Sequence, residues 1–189
     1  MTLIERVKNI ILNPDREWPV IEREPADARG LLIGYVAVLA AIPAVAGFIG
    51  TSLVGVSVSA GTFRVPFVMG LLNAAISYAF SFVLVYVVAL IINWLAPVFR
   101  AMRSFPHALK LSAYSFTPSW LAGIFLLIPG LRFLTILGLY GLYLLWTGLP
   151  PLMDAARDRS LLYAAAVVFA ALIVTVGLAL IQSMIVTVP

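Results

Sequence analysis

Glu22 and Glu24, two positions apart in the stretch NPDREWPVIEREP (Asn13–Pro25), are the side chains whose type best suits proton transfer. Neighbouring carboxylates work as acid and base when an apolar pocket separates their pKa values. No such pocket is evident around them, and no histidine at ligand spacing accompanies them. His107, the only histidine, lies in the basic loop RAMRSFPHALK (Arg100–Lys110), where a lone imidazole makes a poor metal site. The chain has no cysteine, which removes disulfides, thiolate nucleophiles and zinc–thiolate centres. No nucleophile–base pair, HExxH or Walker loop stands in the sequence. No catalytic, cofactor-binding or metal-binding residue is therefore expected, and the chain reads as a non-enzyme. The chemistry left to these residues is binding: Trp18, Glu22 and Glu24 before the apolar region, and Arg100, Arg103 and Lys110 in the loop, are the candidates for holding a protein or lipid partner. Each cation of that loop would attract an anionic headgroup by about 1 kcal/mol. Nucleic acid is not expected as a partner, because no recognition motif accompanies the basic loop.

The elements that must position these side chains follow from composition. Of 189 residues, 63% are hydrophobic and 11% charged, against roughly 25% charged in soluble domains; such a chain cannot cover a water-facing surface. Five apolar runs stand out, about 31–54, 66–97, 111–128, 131–149 and 161–188, and the one Asp, Glu, Lys, Arg or His within them is Arg132, at the start of the fourth. A helix needs about 20 mostly apolar residues to cross hydrocarbon. The expected fold is therefore all-α, an integral membrane bundle of five transmembrane helices (31–189) preceded by an interfacial amphipathic N-terminal segment (1–30). Pro97, Pro129-Gly130 and Pro150-Pro151 mark the expected ends of spans, and the Pro-Gly turn predicts a tight antiparallel hairpin of spans three and four. Met1–Leu12 carries Glu5, Arg6 and Lys8 inside its apolar pattern, unlike a cleavable signal.

Ten of the 12 Lys and Arg residues, all but Arg64 and Arg132, fall on the N-terminal side of this arrangement, as do all 8 acidic residues. The positive-inside rule predicts a cytoplasmic N-terminus and a C-terminus on the outer side.

Within the opening segment, Leu3, Ile4, Val7, Ile10 and Ile11 recur at helical spacing. Asn13 and Pro14 suit a helix start. Pro19 pushes Trp18 toward extended backbone, so broken helices are expected, opening at Pro14, Pro19 and Pro25, with Trp18 as an anchor at headgroup depth. Trp94, Tyr114, Trp146 and Tyr163 lie at the same ends of their spans and predict an interfacial belt. Inside the spans, Asn73, Ser77 and Ser81 form one polar stripe and Ser112, Ser115 and Ser119 another; such stripes join helices by hydrogen bonds of about 0.6 kcal/mol each. Ala40, Ala44 and Gly47 in the first span and Gly138, Gly141 and Gly148 in the fourth allow close approach. Pro43 and Pro118 predict kinks.

The arrangement resembles the bacterial inner-membrane members of the Yip1-domain family. The segments carrying the likeness are NPDREWPVIERE, AIPAVAGFIGT, AYSFTPSWLAGIF and LYGLYLLWTGLPPLM, which together reach to about Met153. In the eukaryotic branch a Gly-Tyr-x-x-x-Pro motif lies in a span; Tyr114 and Pro118 fall on it, with Ala113 at its glycine. That branch's acidic Asp-Leu-Tyr-Gly-Pro motif is absent, with NPDREWP loosely in its place. The eukaryotic members bind Rab-type GTPases, whereas for a bacterial member the resemblance implies a five-span fold and a cytoplasmic N-terminus rather than an activity. Two functions fit these expectations: a non-catalytic protein organising a protein or lipid partner, or a second copy of itself, through its cytoplasmic face; and a transporter, channel or lipid-translocating protein for neutral or lipidic cargo.

Overall fold

The computed structural model describes residues 2–58 and 61–186; the end of the expected fifth run, 187–188, lies outside them. The chain begins with two short helices, α1 (Leu3–Leu12) and α2 (Pro14–Arg23). Thr2 and Glu5 start α1 with a reciprocal capping box. Asn13 ends α1 by donating its N–H to Asn9 O at 2.8 Å and leads into α2, which has Pro14 at its first position and Asp15 and Glu17 in its first turn.

Helix α2 runs straight through Pro19, which corrects the expected break there. The local cost of a proline is outweighed by what the helix buries, since Trp18 and Ile21 on its inner face are fully covered. Nor does Pro25 open a helix. The next one starts at Ala28 behind Asp27, whose Oδ1 accepts from Gly30 N at 2.9 Å.

Among the described residues four helices are long and apolar enough to cross a membrane: α3 (Ala28–Val54), α4 (Phe67–Phe99), α7 (Pro129–Met153) and α8 (Arg157–Val186). The third expected run is not among them as a single helix. It forms α5 (Phe105–Ser115) and α6 (Thr117–Ala122), the latter continued by 3-10 turns over Gly123–Leu127. The break at Phe116 has a local cause: Pro118 has no N–H for the continuing ladder and takes the second position of a new helix, where none is needed.

Departures from plain α-helix occur elsewhere in the spans. Helix α3 has π turns at Leu32–Val36 and Ile49–Val54 on either side of Pro43. Helix α7 opens with 11 residues of 3-10 helix, Pro129–Leu139, and runs through Pro150 and Pro151 to Met153, one turn beyond the expected stop at Leu149. Between α3 and α4 a two-stranded antiparallel ribbon pairs Val56–Val58 with Gly61–Phe63. Gly55, at φ 86°, turns the chain into it.

The outer faces of the spans are apolar and open: Phe67, Val68, Leu71 and Leu72 on α4, Phe133 and Ile136 on α7, and Phe169, Leu172 and Ile173 on α8 are all exposed. Two serines, buried Ser112 and exposed Ser119, bond between helices instead. Ser112 Oγ donates to Val85 O (2.8 Å) and Ser119 Oγ to Gly138 O (3.1 Å), joining α5 to α4 and α6 to α7. Glycines set the closest approaches. A β-carbon at Gly141 would lie 2.4 Å from Ser115 O, and one at Gly123 would lie 2.5 Å from Pro43 Cβ.

Candidate functional site

The N-terminal helices dock on the bundle through a charged cluster. Arg6 of α1 is 6% exposed and Glu17 of α2 is 5% exposed; the Arg6 guanidinium donates one N–H to Glu17 Oε1 and another to Glu24 Oε1. The guanidinium carbon lies 5.7 Å from the centre of the Tyr114 ring, so the cation also faces an aromatic surface. The sequence places Arg6 among the polar residues of an interfacial helix, and its burial is not expected from that. Its spacing held the signal, because Arg6 shares a helical face with Leu3 and Ile10, and Glu17 shares one with Ile21: opposite charges at core positions of consecutive helices.

Beneath Arg6 lies an aromatic layer. Tyr114 meets Tyr35 edge-on at 4.7 Å and Trp18 at 6.3 Å, and the Tyr35 hydroxyl shares a 2.7 Å hydrogen bond with Thr117 Oγ1. Pro118, one residue on, is buried. The family-motif pair Tyr114 and Pro118 thus flanks the break between α5 and α6, and Tyr114 links it to the N-terminal cluster.

Trp18 is 1% exposed, which corrects its expected place as a headgroup anchor. Its Nε1 donates to Thr147 Oγ1 at 3.2 Å, and Gly148 makes room for its ring, since a β-carbon there would lie 2.8 Å from Cε2 and Cζ2. Tyr114 and Tyr163 are likewise core and not belt; the Tyr163 hydroxyl donates to Ile92 O. Trp94 is 72% exposed.

Lys110 is corrected too. Rather than reaching for lipid, its Nζ donates to Ile21 O (2.9 Å) and Glu24 O (2.6 Å), a cation closing the C-terminus of α2 where the helix dipole is negative. Burial pushes this ammonium below the ordinary lysine range, and the Glu24 and Glu22 carboxylates offset part of that. Arg100 and Arg103 stay exposed. Arg100 caps the end of α4 in the left-handed conformation at φ 55°, while Met102 N donates to Met153 O at 2.6 Å and ties this loop to the end of α7.

Beside the cluster is a cleft of about 480 Å³ whose walls include Glu24, Asp27, Tyr35, Lys110 and Tyr114. Of its two carboxylates, Glu24 is paired with Arg6 and Asp27 caps the next helix, and with the Lys110 ammonium and two phenol rings they make a mixed polar wall suited to a hydrogen-bonding group. Among the described residues no three His, Cys, Asp or Glu side chains gather as a metal would require. A second groove, about 320 Å³, lies between α3 and α4 and brings together Pro43, Gly47, Asn73, Ser77 and Ser81. Asn73 and Ser77 are exposed along it, and Ser81 Oγ donates to Ser77 O within its own helix (3.1 Å). This stripe lines an opening; Ser112, Ser115 and Ser119 line another, of about 570 Å³, and there Ser112 and Ser119 also join helices.

An apolar exterior, hydroxyls bonded between helices and membrane-length helices define a multi-pass helical membrane protein. The Yip1 domain profile matches residues 8–178, and the chain belongs to the Yip1 domain family. The inner membrane protein YohC of Escherichia coli (strain K12) is 29% identical over 163 residues, which cover 84% of each chain. YohC of Escherichia coli O6:H1 (strain CFT073) matches to the same extent. No solved structure matches the chain.

Proposed function

We infer that this is a non-catalytic protein of a bacterial inner membrane, with five crossings and its N-terminus in the cytoplasm, that organises a protein or lipid partner through its cytoplasmic face. The similarity to inner membrane proteins supports the location. The charge asymmetry supports the orientation. A fifth crossing is consistent with the geometry of the broken helix, since α and 3-10 rises carry residues 111–127 over roughly 28 Å, close to the hydrocarbon thickness of about 30 Å.

The observation that carries the reading is the docked N-terminal pair of helices. Ion pairs and Trp18 fix its inner face, while Lys8, Arg16 and Arg23 are exposed beside the exposed Ile4 and Leu12. An outer face with three cations against the exposed Glu5 and Asp15, and partly apolar, is a surface for docking rather than catalysis. The test is cross-linking in native membranes followed by identification of bound proteins and lipids, comparing the wild type with the Lys8→Glu, Arg16→Glu, Arg23→Glu triple variant of the full chain. Loss of the cross-linked partner with unchanged thermal stability supports the reading; a partner retained at wild-type yield overturns it.

A second reading, passage of neutral or lipidic cargo, draws support from the groove of Pro43, Asn73 and Ser77, which sets polar groups along a lateral opening. Reconstituted liposomes with labelled lipids and neutral solutes test it; flux equal to that of empty vesicles removes it.

A further inference from the structure

A third cleft, about 700 Å³, lies between α2 and the adjoining ends of α7 and α8, with Asp15, Pro19, Tyr143, Trp146, Pro150 and Arg157 among its walls. It carries one charge of each sign. Asp15 and Arg157 are both exposed, and among the described residues neither makes an ion pair. In the same cleft Tyr143 and Trp146 stand edge to face, 6.0 Å apart and each more than a third exposed. The Trp146 N–H is already donated to Ser160 Oγ (3.0 Å), so the indole offers the cleft its apolar ring.

The depth of this cleft follows from the helix type. The 11 residues of 3-10 helix at the start of α7 rise about 2.0 Å each, and the α-helical residues 140–146 add about 1.5 Å each. Together they cover roughly 32 Å, about one hydrocarbon thickness. With Pro129 at one boundary, Tyr143 and Trp146 therefore stand at the other. Tyr140, Tyr143 and Trp146 follow one another along a single face, as interfacial aromatics do.

We propose that this cleft binds the headgroup of a zwitterionic phospholipid carrying a primary ammonium and a phosphodiester. Arg157 takes the phosphate, for which a guanidinium fork is the apt donor, and Asp15 takes the ammonium. Tyr143 and Trp146 flank the glycerol region. Pro19, Pro150 and Pro151 stiffen the walls and contribute no N–H. Asp15 disfavours lipids whose headgroup ends in a second anion or a neutral group, so selectivity comes from a repulsive element as well as an attractive one. The site is separate from the outer face of α1 and α2 proposed above and stands or falls independently of it.

The test is native mass spectrometry of the full chain released from nanodiscs containing equal parts of phosphatidylethanolamine, phosphatidylcholine and phosphatidylglycerol. The wild type is expected to retain one ethanolamine lipid in excess of its share. Arg157→Gln should cut retention of that lipid roughly tenfold, the scale of losing one charge-assisted hydrogen bond. Asp15→Asn should retain a phospholipid but lose the preference for ethanolamine over choline. The Lys8, Arg16 and Arg23 triple variant should leave the preference intact. Since Asp15 also lies in the first turn of α2, Asp15→Ser, which suits a helix start, serves as a second variant. Bound lipid that mirrors the nanodisc composition, enrichment of the glycerol lipid instead, or a preference unmoved by the Asp15 and Arg157 substitutions would each overturn the proposal.

Discussion

The indole of Trp18 lies directly on Gly148, at a spacing that leaves a β-carbon only 2.8 Å from Cε2 and Cζ2. One residue earlier, Thr147 accepts the indole N–H. The contact seats α2 against α7 and explains why a helix containing Pro19 holds together.

Gly148→Ala is therefore expected to displace the N-terminal helices. Overpacking of this kind costs about 1–3 kcal/mol, and the flat ring cannot yield as a flexible chain end would. Tryptic cleavage after Arg16 and Arg23 in mild detergent should speed up well before the spans unfold. Cleavage at the wild-type rate would show that the seat is not tight.

Removing one partner of the Arg6–Glu17 pair leaves a buried charge uncompensated. Arg6→Met alone is expected to destabilise the docked N-terminus by about 3–5 kcal/mol, whereas Arg6→Met with Glu17→Leu should recover much of it. A double-mutant cycle on thermal unfolding reads the coupling; strictly additive effects would contradict a buried pair.

These two contacts also show what the sequence could and could not tell. The all-helical membrane character, the positions of most spans and the break near Pro118 follow from apolar runs and proline chemistry. The burial of Arg6 and Trp18 does not, because a charged residue on an apolar stripe reads equally well as snorkelling at an interface until its partner on another helix is known. Lys110 was misjudged for the same reason: its partners, Ile21 O and Glu24 O, are carbonyls more than 80 positions away in the chain. Gly138, Gly141 and Gly148 announced close packing, but the 3-10 winding of Pro129–Leu139 left no mark in composition. The alternation of Val56, Ser57 and Val58 ahead of Gly61 was a strand signal, obscured by the long spans around it.

Two glycines test how tightly the broken helix is held. At Gly141 a β-carbon meets the carbonyl of Ser115, and at Gly123 it meets Pro43; backbone and a proline ring give little. Gly141→Ala and Gly123→Ala should each lower the thermal midpoint clearly, while Gly130→Ala, where nothing lies within 4 Å, should leave it near wild type. Similar midpoints for all three would contradict this packing.

The start of α1 should respond to acid. Glu5 accepts from Thr2 N at 2.8 Å, and Glu5 N donates to Thr2 Oγ1 at 3.3 Å. The Thr2 backbone N–H first, and the Thr2 hydroxyl second, hold the Glu5 carboxyl below its usual 4.5. Near pH 4.5 the unfolded end then binds more protons than the folded one, so the box contributes fully above that pH and is lost as pH falls through the lower, folded value. Hydrogen exchange over residues 3–6, referenced at each pH to Glu5→Gln, should show protection of the wild type that disappears on acidification. A constant ratio from pH 6 to 3 would contradict it.

Cysteine labelling tests the account most directly, since the natural chain has no cysteine of its own. Single Lys8→Cys, Ile21→Cys and Arg64→Cys variants are treated with a membrane-impermeant maleimide in intact spheroplasts and again after lysis. A docked, cytoplasmic N-terminal platform predicts labelling at position 64, exposed beside the ribbon, in intact cells, at position 8 only after lysis, and at the buried position 21 only after denaturation. Labelling at position 8 in intact cells, or equal reactivity at 8 and 21 after lysis, would contradict it.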